Sequence, residues 1–318
     1  MLLKDGVQPY REDLDKVSNG KAVILVNLTM HGSTLNSKAY EYVNIPFEKM
    51  LGVVPEKGLL DSDDAHFYAT GKLFQLISDE MLSSAADDFI AHGLSLGITG
   101  MHCLEGEFLA LGRELDMWFS KMDTLPMHLV LYPQVWDYDF AKKYNLPRYG
   151  GCLTLDGSDG EWTMALQKPY SNRPETRGLL LRNDGVLYDA ISKASADEKQ
   201  CSFHAMGDRA IDQIIYLYDR VIKEHGDKKL RHRIEHFTLA TDEQIEMAAN
   251  LGVVVSPQPE YMYLFGGPEG HLESYFGTER NNQMETYKKW IDAGLVVACG
   301  SDSPVNRLNP LYGIHSLV

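Results

Sequence analysis

Three short apolar runs in this chain each end on a side chain able to hold a metal. Two of them then give way to a helix. That recurrence constrains the fold more than any other feature. Cys201-Ser202-Phe203-His204 closes on a histidine, and helical spacing follows from Arg209 to His225. Arg231 to Phe237 repeats the pattern around His236, and Val296 to Pro304 places Asp302 at a third strand end. Apolar runs alternating with longer amphipathic stretches need crossover connections, which build a parallel sheet. Parallel neighbours carry their C-terminal ends on one rim, so His204, His236 and Asp302 converge there. Two imidazoles and a carboxylate at such a rim suggest a metal site.

Seven such strands are expected from Ile98 onward, beginning near Ile98, Met127, Gly151, Cys201, Arg231, Val253 and Val296. Helices are expected over Asp79–Leu96 and near 110–122, 138–144, 186–196, 209–225, 242–251 and 284–293. Seven is one short of a closed eight-stranded barrel. A doubly wound open sheet is the competitor, but it gathers its site at one switch point. Candidates spread over the ends of many strands suit a barrel better. Before this region, Ala22–Asn27 reads as a strand and a helix is expected from Ser37. Residues 1–21 read as a polar lead-in, and 46–74 as an irregular surface excursion.

Composition narrows the function. The 318 residues carry a net charge of -15, which argues against nucleic acid and against anionic membranes. Nothing in the sequence reaches the length of a spanning helix, and Met1–Gly6 is too short and polar for a secretory leader. Cys103, Cys152, Cys201 and Cys299 have no disulfide-framework spacing. The expectation is a cytoplasmic protein with reduced cysteines.

Each candidate has a plainer reading. A lone strand histidine can be a core residue satisfied by a neighbour, and Asp302 in Ser-Asp-Ser-Pro can be a turn aspartate. Asp208 and Arg209 read first as a helix cap and a buried ion pair. Glu235 precedes His236, so strand alternation points it to the opposite face, in a supporting role. The aromatic run Tyr261–Phe265 either shapes a pocket or packs on helices.

At these residues the chain resembles the amidohydrolase superfamily, in the amidohydrolase-3 branch that includes formamide deformylases and exoenzyme regulatory proteins. The motifs are His204-Ala205-Met206-Gly207-Asp208-Arg209-Ala210, Arg233-Ile234-Glu235-His236 and Gly300-Ser301-Asp302-Ser303-Pro304. Weaker matches are Met30-His31-Gly32 with Asn36-Ser37, Gly97-Ile98-Thr99, and Asp156-Gly157-Ser158. The resemblance implies an α/β fold, a (β/α)8 TIM-barrel-type metal-dependent hydrolase. His204 and His236 would close strands 5 and 6 as ligands of zinc or another divalent transition metal. Asp302 would close strand 8 as catalytic acid/base, and Glu105 would add a metal ligand, with Cys103 a weaker candidate. His31 would approach the substrate.

The chain also departs from the family pattern. The His-x-His of the first strand is absent, as is the β-sandwich, and Cys152 stands where many members carry a bridging lysine. The expected layout is therefore an incomplete barrel: 1–96 a segment inserted between strands 1 and 2, and 97–318 strands 2–8 with their helices. The implied activity is hydrolysis of an amide- or formamide-like C–N bond of a small-molecule substrate through metal-activated water. This chain would be a truncated piece of the full enzyme, with homo-oligomerisation a way to cover its gap. The alternatives are a non-catalytic barrel that binds a ligand or partner, and isomerase or decarboxylase chemistry on the same scaffold.

Overall fold

The computed structural model describes residues 7–106, 112–267 and 270–318. It contains two compact units, one ending at Asp79, the other comprising Glu80–Gly106 and Gly112–Val318. The helix Asp79–Ser95 thus sits, but for its first residue, with the second unit rather than with the segment before it. The lysine ammonium of Lys121 reaches back to the Ser83 carbonyl at 3.1 Å.

In the first unit, β1 (Ile24–Val26), β2 (Ser33–Leu35), β3 (Val53–Val54) and β4 (Leu59–Leu60) form an antiparallel sheet in the order β1-β2-β4-β3. Leu35, Val43, Ile45, Leu60, Ala65 and Ala69 make its core. The stretch read as irregular therefore holds β3, β4 and a helix, Asp63–Phe74, capped by the Ser62 side chain. Its small buried residues (Ala65, Ala69, Thr70, Gly71) hid the helical stripe from a reading based on large apolar side chains. The lead-in likewise contains a helix, Arg11–Val17.

The second unit carries the seven expected strands: β5 (Gly100–Gly106), β6 (His128–Gln134), β7 (Arg148–Thr154), β8 (Gln200–Ala205), β9 (Arg233–His236), β10 (Val254–Ser256) and β11 (Val296–Val297). All ladders are parallel. β5 and β6 form one sheet, and β7 to β11 run in sequence order in another. The two sheets meet where the Gln134 side chain of β6 accepts the Cys152 N–H of β7 at 2.8 Å. Sequence-ordered parallel strands with helices between them are the pattern of a (β/α) barrel wall rather than of a doubly wound sheet. Among the described residues β11 pairs only with β10, and β5 only with β6. Each of these two end strands therefore has one edge without a ladder among the described residues.

Helices cover the wall because their apolar residues recur one turn apart. Asp208–His225 buries Ala210, Ile211, Ile214, Ile215, Tyr218 and Val221. Two further helices, Pro259–Phe265 and Leu272–Asn281, occupy the stretch between β10 and the helix expected near 284–293, the first of them built from the aromatic run. The expected helix start near Ala110 lies outside the described residues, and the helix is seen from Arg113 to Lys121. No helix among the described residues is long and apolar enough to cross a membrane. All four cysteines are free, with Cys103 and Cys201 buried.

On the face of β8 that carries His204, Arg233 is tied to its neighbours. Its Nη2 lies 2.7 Å from Glu235 and 2.9 Å from Ser256 Oγ, and its Nη1 lies 2.8 Å from His102 Nδ1. Ser202 donates to Glu235. Pairing with the Glu235 carboxylate spares Arg233 the cost of a lone buried ion, although its Nε has no hydrogen-bond partner among the described residues.

Two buried imidazoles are held neutral. His232 accepts the Cys201 N–H at 3.0 Å, stacks on Tyr218, and burial pushes its pKa down to about 4. His66, fully buried in the first unit, is pushed down to about 4, chiefly by burial. Each folded pKa lies below the unfolded value, so the stability it confers is whole above about pH 6.5. It is lost as pH falls toward 4, by up to about 3 kcal/mol per group. His232→Asn keeps an acceptor for Cys201 and should remove about 2 kcal/mol of that loss from the urea-unfolding pH profile between pH 7 and 5. A profile identical to the parent's would rule His232 out as its source.

Candidate metal centre

Cys152, His204 and His236 come together at the C-terminal ends of β7, β8 and β9. Their ligand atoms all lie within 4.8 Å of one another, the one such group among the described residues. Cys152 Sγ is 3.7 Å from His204 Nδ1 and 3.5 Å from His236 Nε2, and the rings stand 4.4 Å apart at 67°.

Local backbone irregularities aim these side chains. Gly150 and Gly151 both have φ of +91°, and the β7–β8 register shifts between Gly150 and Thr154. A side chain at Gly150 would strike the Ser202 carbonyl oxygen at 2.2 Å. The glycine pair therefore makes a bulge that re-aims the residue after it, Cys152. At the end of β9, His236 and Phe237 adopt φ of 70° and 57°. The strand alternation that would set His236 opposite Glu235 is broken at that point.

The outer nitrogens of the two rings are already taken. His236 Nδ1 lies 2.6 Å from Gln258 Oε1, and the Gln258 amide donates to the Ser256 carbonyl at 2.8 Å. That bond fixes Oε1 as an acceptor, so His236 Nδ1 carries the hydrogen. His204 Nε2 faces the Gly157 carbonyl and Asp156 Oδ1, each at 3.4 Å, and both are acceptors. Its hydrogen is on Nε2. Each imidazole therefore turns a lone pair toward the cysteine sulfur, an arrangement suited to a cation.

Zinc–sulfur and zinc–nitrogen bonds of about 2.3 and 2.05 Å at a tetrahedral angle put S and N about 3.6 Å apart. The observed 3.5 and 3.7 Å bracket that figure. The chemistry and spacing of this donor set fit a divalent transition metal, with three protein ligands leaving a position open.

Asp156 holds this rim. Its carboxylate accepts the backbone N–H groups of Ala165, Met206 and Gly207 at 2.8, 3.0 and 2.9 Å. Burial pushes its pKa up to about 7 against the pull of those donors. Gly207 is forced to be glycine, since a Cβ there would lie 1.9 Å from the Ala165 oxygen. Asp208 is the first helical residue rather than the cap, and its carboxylate accepts the Gln167 N–H at 2.8 Å instead of pairing with Arg209.

The structure does not bring the other expected residues into this group. Glu105 lies inside β5, where Cys103 Sγ is 3.5 Å from its carboxylate. Burial, then the nearby Glu114 carboxyl, push its pKa up to about 7. Glu105 and Cys103 share a strand face, and Trp118 and Glu114 of the Arg113–Lys121 helix belong to their surroundings. Both side chains thus turn toward that helix. Asp302 follows β11 in an exposed turn with φ of 53°. His31 lies in the first unit, its Nδ1 2.8 Å from Asp63 Oδ1. Gln258 and Asp156 are the supporting residues that sequence reasoning passed over. For Asp156 the Asp-Gly-Ser turn was a signal, whereas Gln258 gave none.

The model of the amidohydrolase family matches residues 1–318. A Bacillus subtilis (strain 168) protein named "Putative amidohydrolase YtcJ" is 25% identical over 332 residues, covering 97% of this chain and 60% of its own length. Protein LONG AFTER FAR-RED 3 of Arabidopsis thaliana is 28% identical over 165 residues, 52% of this chain and 28% of its own. Two solved structures share the fold, an uncharacterized metal-dependent hydrolase from Pyrococcus furiosus (TM-score 0.72, 24% identity) and another from Pyrococcus horikoshii OT3 (TM-score 0.74, 23% identity). Each is covered over 65% and 62% of its length, respectively, by 98% of this chain. The chain thus spans 60 to 65% of the Bacillus and Pyrococcus proteins and 28% of the Arabidopsis protein.

Replacing Gln258 by Leu should leave the fold intact and weaken zinc binding about 10- to 100-fold, because the His236 ring loses its orienting acceptor. Competition with a chromophoric chelator measures this. Unchanged affinity would show that Gln258 does not support the site.

Proposed function

The chain belongs to the amidohydrolase family, and from that premise we propose that it forms the metal-binding side of a hydrolase acting on C–N bonds of small amide- or formamide-like molecules. The observation that carries this reading is the convergence of two imidazole lone pairs on Cys152 Sγ. Cys152, His204 and His236 hold the metal, zinc or a similar divalent ion, with Cys152 in the place the sequence reading gave to Glu105. When bound, such an ion lowers the pKa of a water and polarises a carbonyl oxygen. Gln258 and Asp156 keep the two rings in the tautomers that bind. Asp302, just past β11, is the carboxylate we assign to moving the proton to the leaving nitrogen. His31 is assigned to the substrate.

In this reading one further parallel strand, supplied by chain outside these 318 residues, fits between the open edges of β11 and β5. Supporting this are those two edges and the 60 to 65% coverage of the longest matches. The four free cysteines support a reducing, cytoplasmic setting. Exposure of Asp302 favours a second reading, a barrel of this ancestry that binds a ligand without catalysis.

Elemental analysis after zinc supplementation and dialysis should find about one equivalent in the parent chain and far less in His236→Ala. Hydrolysis of N-formyl and simple amide substrates, assayed in the chain completed by its missing strand, should fall at least about 10³-fold in the same variant. A metal-loaded, fully active His236→Ala protein would defeat the hydrolase assignment. Full metal without turnover in the completed chain would favour the ligand-binding reading.

A further inference from the structure

Near the metal-ligand group, the loop after β7 and the helices after β10 bring together a buried carboxylate, an imidazole and several aromatic rings. Asp159 is 1% exposed. Its Oδ1 accepts the Tyr261 hydroxyl, while Oδ2 has no hydrogen-bond partner among the described residues. The nearest basic nitrogen the structure gives it is His271 Nε2, at 3.9 Å, too long for a hydrogen bond. The His271 imidazole itself lies against two rings, Phe265 at 5.2 Å and 58° and Tyr275 at 5.5 Å and 65°. Phe265 in turn meets Tyr261 at 4.9 Å, and Tyr275 stacks on Trp162, over which Arg173 stands at 3.6 Å.

A tie between two loops would need the Tyr261 bond alone. It gives no reason for a second carboxylate oxygen left unpaired in a dry place, where such an atom is costly. Aromatic rings beside a carboxylate are the chemistry that holds an organic cation, because ring faces and an ionised carboxylate attract the same charge. Glu161, 6% exposed and bonded to Ser158, adds a second carboxylate nearby. The His271 ring occupies the space that a ligand cation would take. Its side chain is 32% exposed, so it can be displaced toward solvent.

We propose that Asp159, with the rings of Tyr261, Phe265 and Tyr275, is a subsite for an organic cation of the ammonium type, occupied in this structure by the chain's own His271. The subsite lies at the same rim as the metal ligands. The Asp159 loop also supplies Gly157, whose carbonyl faces His204, and the Tyr261 helix follows Gln258, which holds His236. On the hydrolase reading, the substrate class is therefore an amide or formamide that also carries an amine. Cation binding itself does not depend on that reading.

The test compares choline with its uncharged isostere 3,3-dimethylbutan-1-ol, by calorimetry on the full chain with and without zinc. Removing the internal occupant in His271→Ala should tighten choline binding at least tenfold over the parent. Choline should then bind at least tenfold more tightly than the isostere. Asp159→Asn in the His271→Ala background should abolish that preference, and Phe265→Leu should weaken choline about tenfold, with circular dichroism and unfolding temperature confirming the fold of each. Equal binding of choline and isostere to a folded His271→Ala protein, or no binding of either, would overturn the subsite. Loss of zinc binding or turnover with choline binding intact would instead strike the hydrolase reading alone.

Discussion

The rim of this molecule depends on one carboxylate. Asp156 gathers the N–H groups of Ala165, Met206 and Gly207, and so closes the loop after β7 onto the turn after β8. Its Oδ1, with the Gly157 carbonyl, faces His204 Nε2, and the two set which nitrogen of that ring is left for a metal. A buried carboxyl is costly, and charge-assisted bonds to backbone donors are among the few arrangements that offset it. One side chain thereby determines both the path of two loops and the chemistry of a third residue. Its replacement would release three backbone donors into a dry interior at once.

The parallel wall was legible because buried strands and amphipathic helices leave opposite signatures in sequence. Every strand from β5 to β11 lies within a few residues of its apolar run. His204 and His236 were legible for the same reason, since each closes such a run. Other features were hidden. Cys152 could be read as a ligand or as a small hydrophobe, and only the glycine-made bulge and the two facing imidazoles distinguish these. Glu105 was expected as a metal ligand, but β5 runs on to Gly106 and alternation sends the carboxylate toward the Arg113–Lys121 helix. The Asp63–Phe74 helix buries Ala, Thr and Gly in place of leucines. Tyr- and Gly-rich composition likewise disguised the two helices after β10.

Irregular backbone recurs wherever chemistry is concentrated. Gly150 and Gly151 carry left-handed torsions before Cys152, His236 and Phe237 carry them at the end of β9, and Asp302 carries one beyond β11. Regular strands could not aim residues from three adjacent strands at a single point, because their side chains alternate strictly. Strain of this kind persists only where the surroundings hold it, and here the hydrogen bonds of Gln134, Gln258 and Asp156 supply that restraint.

The open edges of β5 and β11 also bear on how the chain behaves in bulk. Unpaired backbone donors and acceptors along a strand are adhesive toward any other strand they meet. Val296 in β11 is 48% exposed, which leaves an apolar side chain in solvent beside that edge. With a net charge of -15, mutual repulsion opposes such contacts between copies at neutral pH. Colloidal behaviour is then set by electrostatic screening. High ionic strength, or acidity near the isoelectric point of about 5.1, removes the barrier and leaves strand-to-strand adhesion unopposed.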